Sequence, residues 1–175
     1  MNTNRHISKF TELLPLTDHH IVALDIDETT LYYDTINSKW WKNAFNKYYS
    51  LLNDYEHADT ESLKHWENTI AEKDPIHTDQ EGFNELVNSN VQIIFVTARN
   101  KIMSDITKIH MAKIGIHDPE IIFCAHENKG ILLKEWLINN NSFDKNLIYV
   151  DDKEYNITDV KTYIPHAKCF KFVIT

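Results

Sequence analysis

Residues 21–30 read IVALDIDETT. The apolar run Ile21-Val22-Ala23-Leu24, begun by His20, has the texture of a short strand buried on both faces. It ends on an acidic turn, so this strand delivers two carboxylates, Asp25 and Asp27, at its carboxyl end. Four further stretches share the pattern: 91–96 (VQIIFV), 120–125 (EIIFCA), 146–150 (NLIYV) and 168–173 (KCFKFV). Helical patterns lie between them. In 101–114, Ile102, Ile106, Ile109 and Lys113 share one face, with Gly115 as a stop. Residues 129–138 carry Leu132, Leu133, Trp136 and Leu137, and 83–87 suggest a helix leading into the second strand. Strand–helix alternation of this kind predicts a three-layer α/β domain: a Rossmann-like parallel sheet of about five strands with helices on both faces.

One segment breaks the rhythm. Residues 35–71 are helical in pattern but far longer than a single crossover needs. Trp41, Ala44, Phe45, Tyr48 and Leu52 form one stripe, and Leu63, Trp66 and Ile70 another, with polar residues 53–60 between. The expectation is a helical hairpin inserted above the sheet within a single unit, 1–175.

Composition narrows the function. Lys and Arg total 18 against 26 Asp and Glu, a formal charge of −8, which disfavours nucleic acid as a partner. With 3 Gly and 4 Pro there is little material for a flexible linker. Cys124 and Cys169 form no CxxC; free buried thiols are the plainer reading, with a single disulfide as the alternative. No run of ~18 apolar residues offers a membrane span. The stretch MNTNRHISKFTELLPLTDHH has no apolar core for a secretion signal, so the chain as given reads as cytoplasmic, a processed or exported form being left open. The ten histidines show no metal-ligand spacing and read as loop residues, His126 being the one near the expected site.

In open parallel sheets, ligands bind at the carboxyl ends of the strands. Asp25 and Asp27 follow the first strand, Thr97-Ala98-Arg99 the second, Lys129 comes after the third, and Asp151-Asp152 follow the fourth. Singly, each has an ordinary role: an acid after a strand caps a helix, a threonine extends a strand, a lysine is solvated. Together they crowd three or four acids onto one rim. Such acids raise one another's pKa unless a divalent cation binds there, and hard oxygen ligands beside an anionic substrate suit Mg²⁺. Arg99 is one of only two arginines, the other being Arg5, and a bidentate contact to a carboxylate or phosphate is what lysine could not supply.

The series IVALDIDETT, IIFVTAR, Lys129 and IYVDD resembles the four ordered motifs of the haloacid dehalogenase superfamily of phosphohydrolases, spread over 21–152, and in length is similar to its small bacterial phosphatases. The resemblance implies Asp25 as nucleophile, forming an aspartyl-phosphate, and Asp27 as general acid and base. It implies that Thr97 and Lys129 hold phosphoryl oxygens, with Arg99 as a further substrate contact. Mg²⁺ would sit on the Asp25 carboxylate, the Asp27 carbonyl and a motif-four acid, Asp152 being favoured and Asp151 orienting it or Lys129. Residues 35–71 stand where the superfamily places a cap, with Trp40, Trp41, Tyr48, Tyr49 and Trp66 as candidates for a lid and Tyr32 and Tyr33 for the entrance.

The superfamily's dehalogenases lack an acid at the Asp27 position, because a carbon–halogen bond needs no protonated leaving group; phosphatases use one. The expected substrate is therefore a small phosphorylated molecule, with hydrolysis of a phosphomonoester as the reaction. The same aspartyl-phosphate could pass to an alcohol in a phosphotransferase or mutase, and a non-catalytic phosphate-binding protein is a further alternative. A response-regulator receiver fails on motif order, since the third strand ends Cys124-Ala125-His126 rather than in an aspartate.

Overall fold

The computed structural model describes residues 5–175, so residues 1–4 of the expected unit lie outside the described residues. Six parallel strands form the main sheet: β1 (Arg5–Ile7), β2 (His20–Leu24), β5 (Gln92–Thr97), β6 (Ile121–Phe123), β7 (Asn146–Asp151) and β8 (Lys168–Phe172). The remaining strands, β3 (Leu31–Tyr32) and β4 (Ile76–His77), pair antiparallel as a separate ribbon. The helices are α1 (Ser38–Leu52), α2 (Tyr55–Ala71), α3 (Gln80–Asn88), α4 (Ser104–Lys113), α5 (Lys129–Asn139) and α6 (Glu154–Tyr163).

Strand order is β1-β8-β7-β2-β5-β6. The chain leaves β2 toward β5 and β6 on one side, then crosses to β7 and β8 on the other. The switch therefore falls at β2, which opens a crevice beyond its carboxyl end. Alternation along the three central strands separates two cores. Val22, Leu24, Phe95, Ile148 and Val150 face one layer, where Phe83 and Leu86 of α3 and Met111 of α4 pack. Ile21, Ala23, Ile94, Val96, Leu147 and Tyr149 face the other, against Leu133 and Leu137 of α5 and Ile157 and Val160 of α6. Burial on both faces is why these strands read as unbroken apolar runs. Cys124 and Cys169 are buried free thiols, and burial pushes Cys124 up to about 12 and Cys169 to about 11.

The sheet expected to have about five strands has six, because Arg5–Ile7 adds to the edge beside β8. Three residues with two polar members carry no apolar periodicity to signal it. Of the face of 101–114 picked out by Ile102, Ile106, Ile109 and Lys113, Ile106 packs against the core but Ile102 and Ile109 are exposed. The inward face carries Met103, Thr107, His110 and Met111, half of it polar, which hid it from hydrophobic pattern. The histidines are not all loop residues either: His110 is buried within α4 and His77 lies on β4.

The inserted hairpin is α1 and α2, and its turn is much shorter than the polar stretch suggested. Asn53 alone takes the left-handed conformation that ends α1, at φ 50°, and Asp54 caps α2 by accepting from the His57 N–H at 3.0 Å. Ala44 of α1 and Ala58 and Ser62 of α2 are small and buried. Fully buried Ile70 anchors the far end of α2 in the main core.

Candidate active site

The register of the sheet builds the site. Leu24 lies opposite Val150 in the β2–β7 pairing, so one residue on, Asp25 and Asp151 leave adjacent strands side by side. The Asp25 N–H donates to the Val150 carbonyl at 2.9 Å. Beyond Asp25 the chain reverses sharply: Glu28 takes a left-handed φ of 61°, and the Thr30 hydroxyl donates back to the Asp25 carbonyl at 2.7 Å. A glutamate costs about 1 kcal/mol in that conformation; its carboxylate is held by Lys153 Nζ at 2.6 Å.

Lys129, at the start of α5, is buried with its ammonium 2.6 Å from Asp25 Oδ1 and 2.8 Å from Asp151 Oδ2. Burial alone would lower its pKa, but the two carboxylates more than offset this and hold it above the ordinary lysine range. Asp25 shifts upward too, for the opposite reason. Its burial, with Asp151 and Asp152 adding to it, pushes the carboxyl well above the usual range against the pull of Lys129.

Asp151 and Asp152 are neighbours with different work. Asp151 is fully buried and saturated: besides Lys129 it accepts from the Tyr149 hydroxyl at 2.5 Å, Asn156 Nδ2 at 3.0 Å to both oxygens, and the Lys153 N–H at 2.8 Å. Asp152 has one oxygen on Lys153 Nζ at 2.5 Å, while its Oδ1 is buried without a hydrogen-bond partner among the described residues. Burial pushes the Asp152 carboxyl up to about 6, chiefly against Lys153. One oxygen from each of Asp25, Asp151 and Asp152 lies within 4.8 Å of the others. An all-carboxylate oxygen set with one buried oxygen left over fits a hard divalent cation.

The other predicted residues divide. Asp27 and Arg99 meet in a bidentate pair, Nε to Oδ2 at 2.8 Å and Nη2 to Oδ1 at 2.7 Å. Arg99 therefore makes the carboxylate contact for which arginine was singled out, with a carboxylate of its own chain. Thr97 ends β5 fully buried, and its Oγ accepts from the Arg99 N–H at 3.1 Å; it is not on the wall of the cavity, which its neighbours Ala98 and Arg99 reach.

That cavity, about 430 Å³, opens between the strand ends and the hairpin. Its floor includes Asp25, Asp27, Lys129 and Asp152, and its roof Trp41, Leu63 and Trp66. Of the aromatic candidates, Trp41, Trp66, Tyr32 and Tyr33 line it, and so does His126. Trp40 and Tyr48 instead pack against His65 between the helices, with ring centroids 5.1 and 6.0 Å away, and Tyr49 stacks on Phe45. Sequence reasoning missed Tyr149, whose hydroxyl is hidden inside an apolar strand. It also missed Asn156, whose position two helical residues past Glu154 gave only the weak signal of an amide near the paired acids.

Two family models match the chain. One, described as HAD superfamily, subfamily IIIB (Acid phosphatase), matches residues 2–141, which include Asp25, Asp27, Thr97, Arg99 and Lys129. The other, described as Protein of unknown function (DUF2608), matches residues 119–174, which hold Asp151 and Asp152. No curated protein matches. Among the described residues no helix is long and apolar enough to cross a membrane.

Proposed function

The chain belongs to the HAD superfamily, subfamily IIIB, the acid phosphatases, and from that membership we propose a Mg²⁺-dependent phosphomonoester hydrolase that works through an aspartyl-phosphate on Asp25. The observation that carries the finer reading is the buried array itself: Asp25 held on Lys129, with Asp152 Oδ1 left unpartnered beside it.

In the first half-reaction an Asp25 carboxylate oxygen attacks phosphorus. The new O–P bond forms as the bond to the leaving oxygen breaks, and Asp27 gives that oxygen its proton. In the second, Asp27 takes a proton from water, the resulting hydroxide attacks phosphorus, and the Asp25 carboxylate departs. Lys129 has three N–H donors, two of them engaged by Asp25 and Asp151, and the third is available to a phosphoryl oxygen. Thr97 retains its hydroxyl proton because its oxygen only accepts from Arg99. Asp25, the Asp27 carbonyl and Asp152 would hold Mg²⁺, which supplies charge neutralisation for the phosphoryl oxygens. Asp151 orients Lys129. The hairpin 35–71 acts as a small cap that screens the leaving group, and 430 Å³ suits a small phosphorylated metabolite.

The test is release of inorganic phosphate from aryl phosphate, nucleotides, sugar phosphates and phosphopeptides, with Mg²⁺, with chelator, and with Asp25→Asn. Mg²⁺-dependent release abolished in the variant is the expected result. Release that survives either chelation or the substitution defeats the mechanism, and phosphate recovered on an added alcohol marks transfer instead of hydrolysis.

A further inference from the structure

The Arg99 guanidinium is fully buried, and four of its five N–H donors are taken at 3.2 Å or less. Nε and Nη2 grip the two oxygens of Asp27 at 2.8 and 2.7 Å. Nη2 also donates to the Tyr33 hydroxyl at 3.0 Å, and Nη1 to Thr107 Oγ1 at 3.2 Å. Nη1 lies 3.5 Å from His110 Nδ1 as well. Tyr33 and His110 close the ring behind it at 2.9 Å. With its hydroxyl oxygen accepting from Arg99, Tyr33 is the donor and His110 Nδ1 the acceptor. Burial and the adjacent guanidinium push His110 down to about 4, which keeps that nitrogen free to accept. From above, Trp66 of α2 covers the group, its ring centroid 5.7 Å from Cζ. A buried guanidinium bonded to Asp27, Tyr33 and Thr107, with His110 behind Tyr33, is poorly placed to grip a substrate phosphate, and well placed to fix what it already holds.

We propose that Arg99 is a positioning residue for Asp27, not a phosphate ligand, and that Tyr33, Thr107 and His110 form the socket that aims it. The proposal rests on Asp27 acting as general acid and base. Asp27 is the partly exposed end of this chain of bonds and lines the cavity, while everything behind it is buried. Fixing both oxygens sets the plane of the group: one oxygen gives up its bond to Arg99, takes up a proton from water in the cavity, and passes it to the leaving oxygen. Lysine can replace the charge of Arg99 but not the two parallel bonds that set this plane.

The leaving group makes the proposal measurable. An alkoxide needs the proton that Asp27 delivers, whereas 4-nitrophenolate departs at neutral pH without one. The full chain, its Arg99→Lys variant and its Tyr33→Phe variant are compared on 4-nitrophenyl phosphate and on glycerol phosphate, with inorganic phosphate as competitive inhibitor. Arg99→Lys is expected to lower kcat/KM, which reports the steps up to departure of the leaving group and not the shared hydrolysis of the intermediate, about 100-fold on the alkyl ester, at least ten times more steeply than on the aryl ester. The inhibition constant of inorganic phosphate should stay within about 3-fold. Tyr33→Phe, which keeps Arg99 and loses only its hydroxyl support, should show the same skew at about 5-fold, and carries the comparison if Arg99→Lys does not fold. Equal losses on the two esters, or phosphate inhibition weakened about tenfold or more, overturn the proposal and make Arg99 a substrate ligand. Wild-type hydrolysis of the aryl ester unaffected by Asp25→Asn would instead overturn the phosphatase mechanism itself.

Discussion

Lys129 Nζ lies 2.6 Å from Asp25 Oδ1, so the carboxylate proposed as nucleophile is paired with a cation before any substrate arrives. The pairing answers a problem set by the sheet register, which brings Asp25 and Asp151 out of neighbouring strands together. Two buried acids in contact would take up a proton between them, and a protonated Asp25 is no nucleophile. One ammonium serving both carboxylates removes half of that charge, and burial still holds the Asp25 carboxyl above the usual range. On the proposed mechanism the floor of the site therefore serves both catalysis and the balance of buried charge.

Lys129→Met should expose that double duty. The substitution matches the stem in length but removes the charge, leaving Asp25 and Asp151 buried without their shared partner. Breaking a buried pair in this way costs about 3–5 kcal/mol. Urea unfolding should show a loss of that size, and turnover should fall by about 100-fold or more. A fully stable variant would mean that the acids are solvated rather than dependent on Lys129.

Asp25→Asn should behave differently. It removes one negative charge from a buried group whose ionisation burial already opposes, and the amide still presents a carbonyl oxygen to Lys129. The urea midpoint should stay equal or rise, while phosphate release drops below detection. A large loss of stability would place Asp25 in the core rather than on the rim.

Much of this was legible in the sequence because the site is a property of strand ends. Apolar runs buried on both faces announced β2, β5 and β7, and each run stopped on a polar residue that the parallel sheet then had to place at one rim. What was not legible lies where polarity turns inward. Tyr149 reads as one more apolar strand residue, yet its hydroxyl is what Asp151 needs at 2.5 Å. The packed face of α4 carries Thr107 and His110 because Arg99 lies beneath it, and so the apolar stripe on Ile102 and Ile109 pointed the wrong way. Likewise 55–60 looked like a loop because α2 is solvent-facing there; the capping Asp54 was the stronger signal.

The paired acids after β7 can be told apart by what each change breaks. Asp151→Asn keeps the shape but loses the charge that holds Lys129, and its amide nitrogen must face Tyr149, Asn156 or Lys129, all of them donors to this side chain. A stability loss on the order of 3 kcal/mol is expected. Asp152→Asn removes a half-partnered charge whose Oδ1 has no hydrogen-bond partner among the described residues, so the fold should tolerate it and Mg²⁺ binding should weaken instead. Isothermal titration with Mg²⁺ and urea unfolding on both variants form the check. The opposite pairing of effects would make Asp151 the direct ligand.

Asp152 also fixes how Mg²⁺ should act at different pH. Folding raises its carboxyl from 3.8 to about 6, chiefly by burial. A raised carboxyl favours the protonated folded state, so its contribution to stability is full below the unfolded value and is lost as pH rises through about 6. Asp25, raised for the same reason, moves in the same direction. A divalent cation requires the ionised forms and so competes with those protons. The rise in Tm on adding Mg²⁺ should therefore be at least about twice as large near pH 7.5 as near pH 5. Other titrating groups, including His110 in its buried socket, act on the metal-free and Mg²⁺-loaded protein alike and cancel in this difference. A Tm increment independent of pH, or one larger in acid, would place the cation away from Asp25 and Asp152.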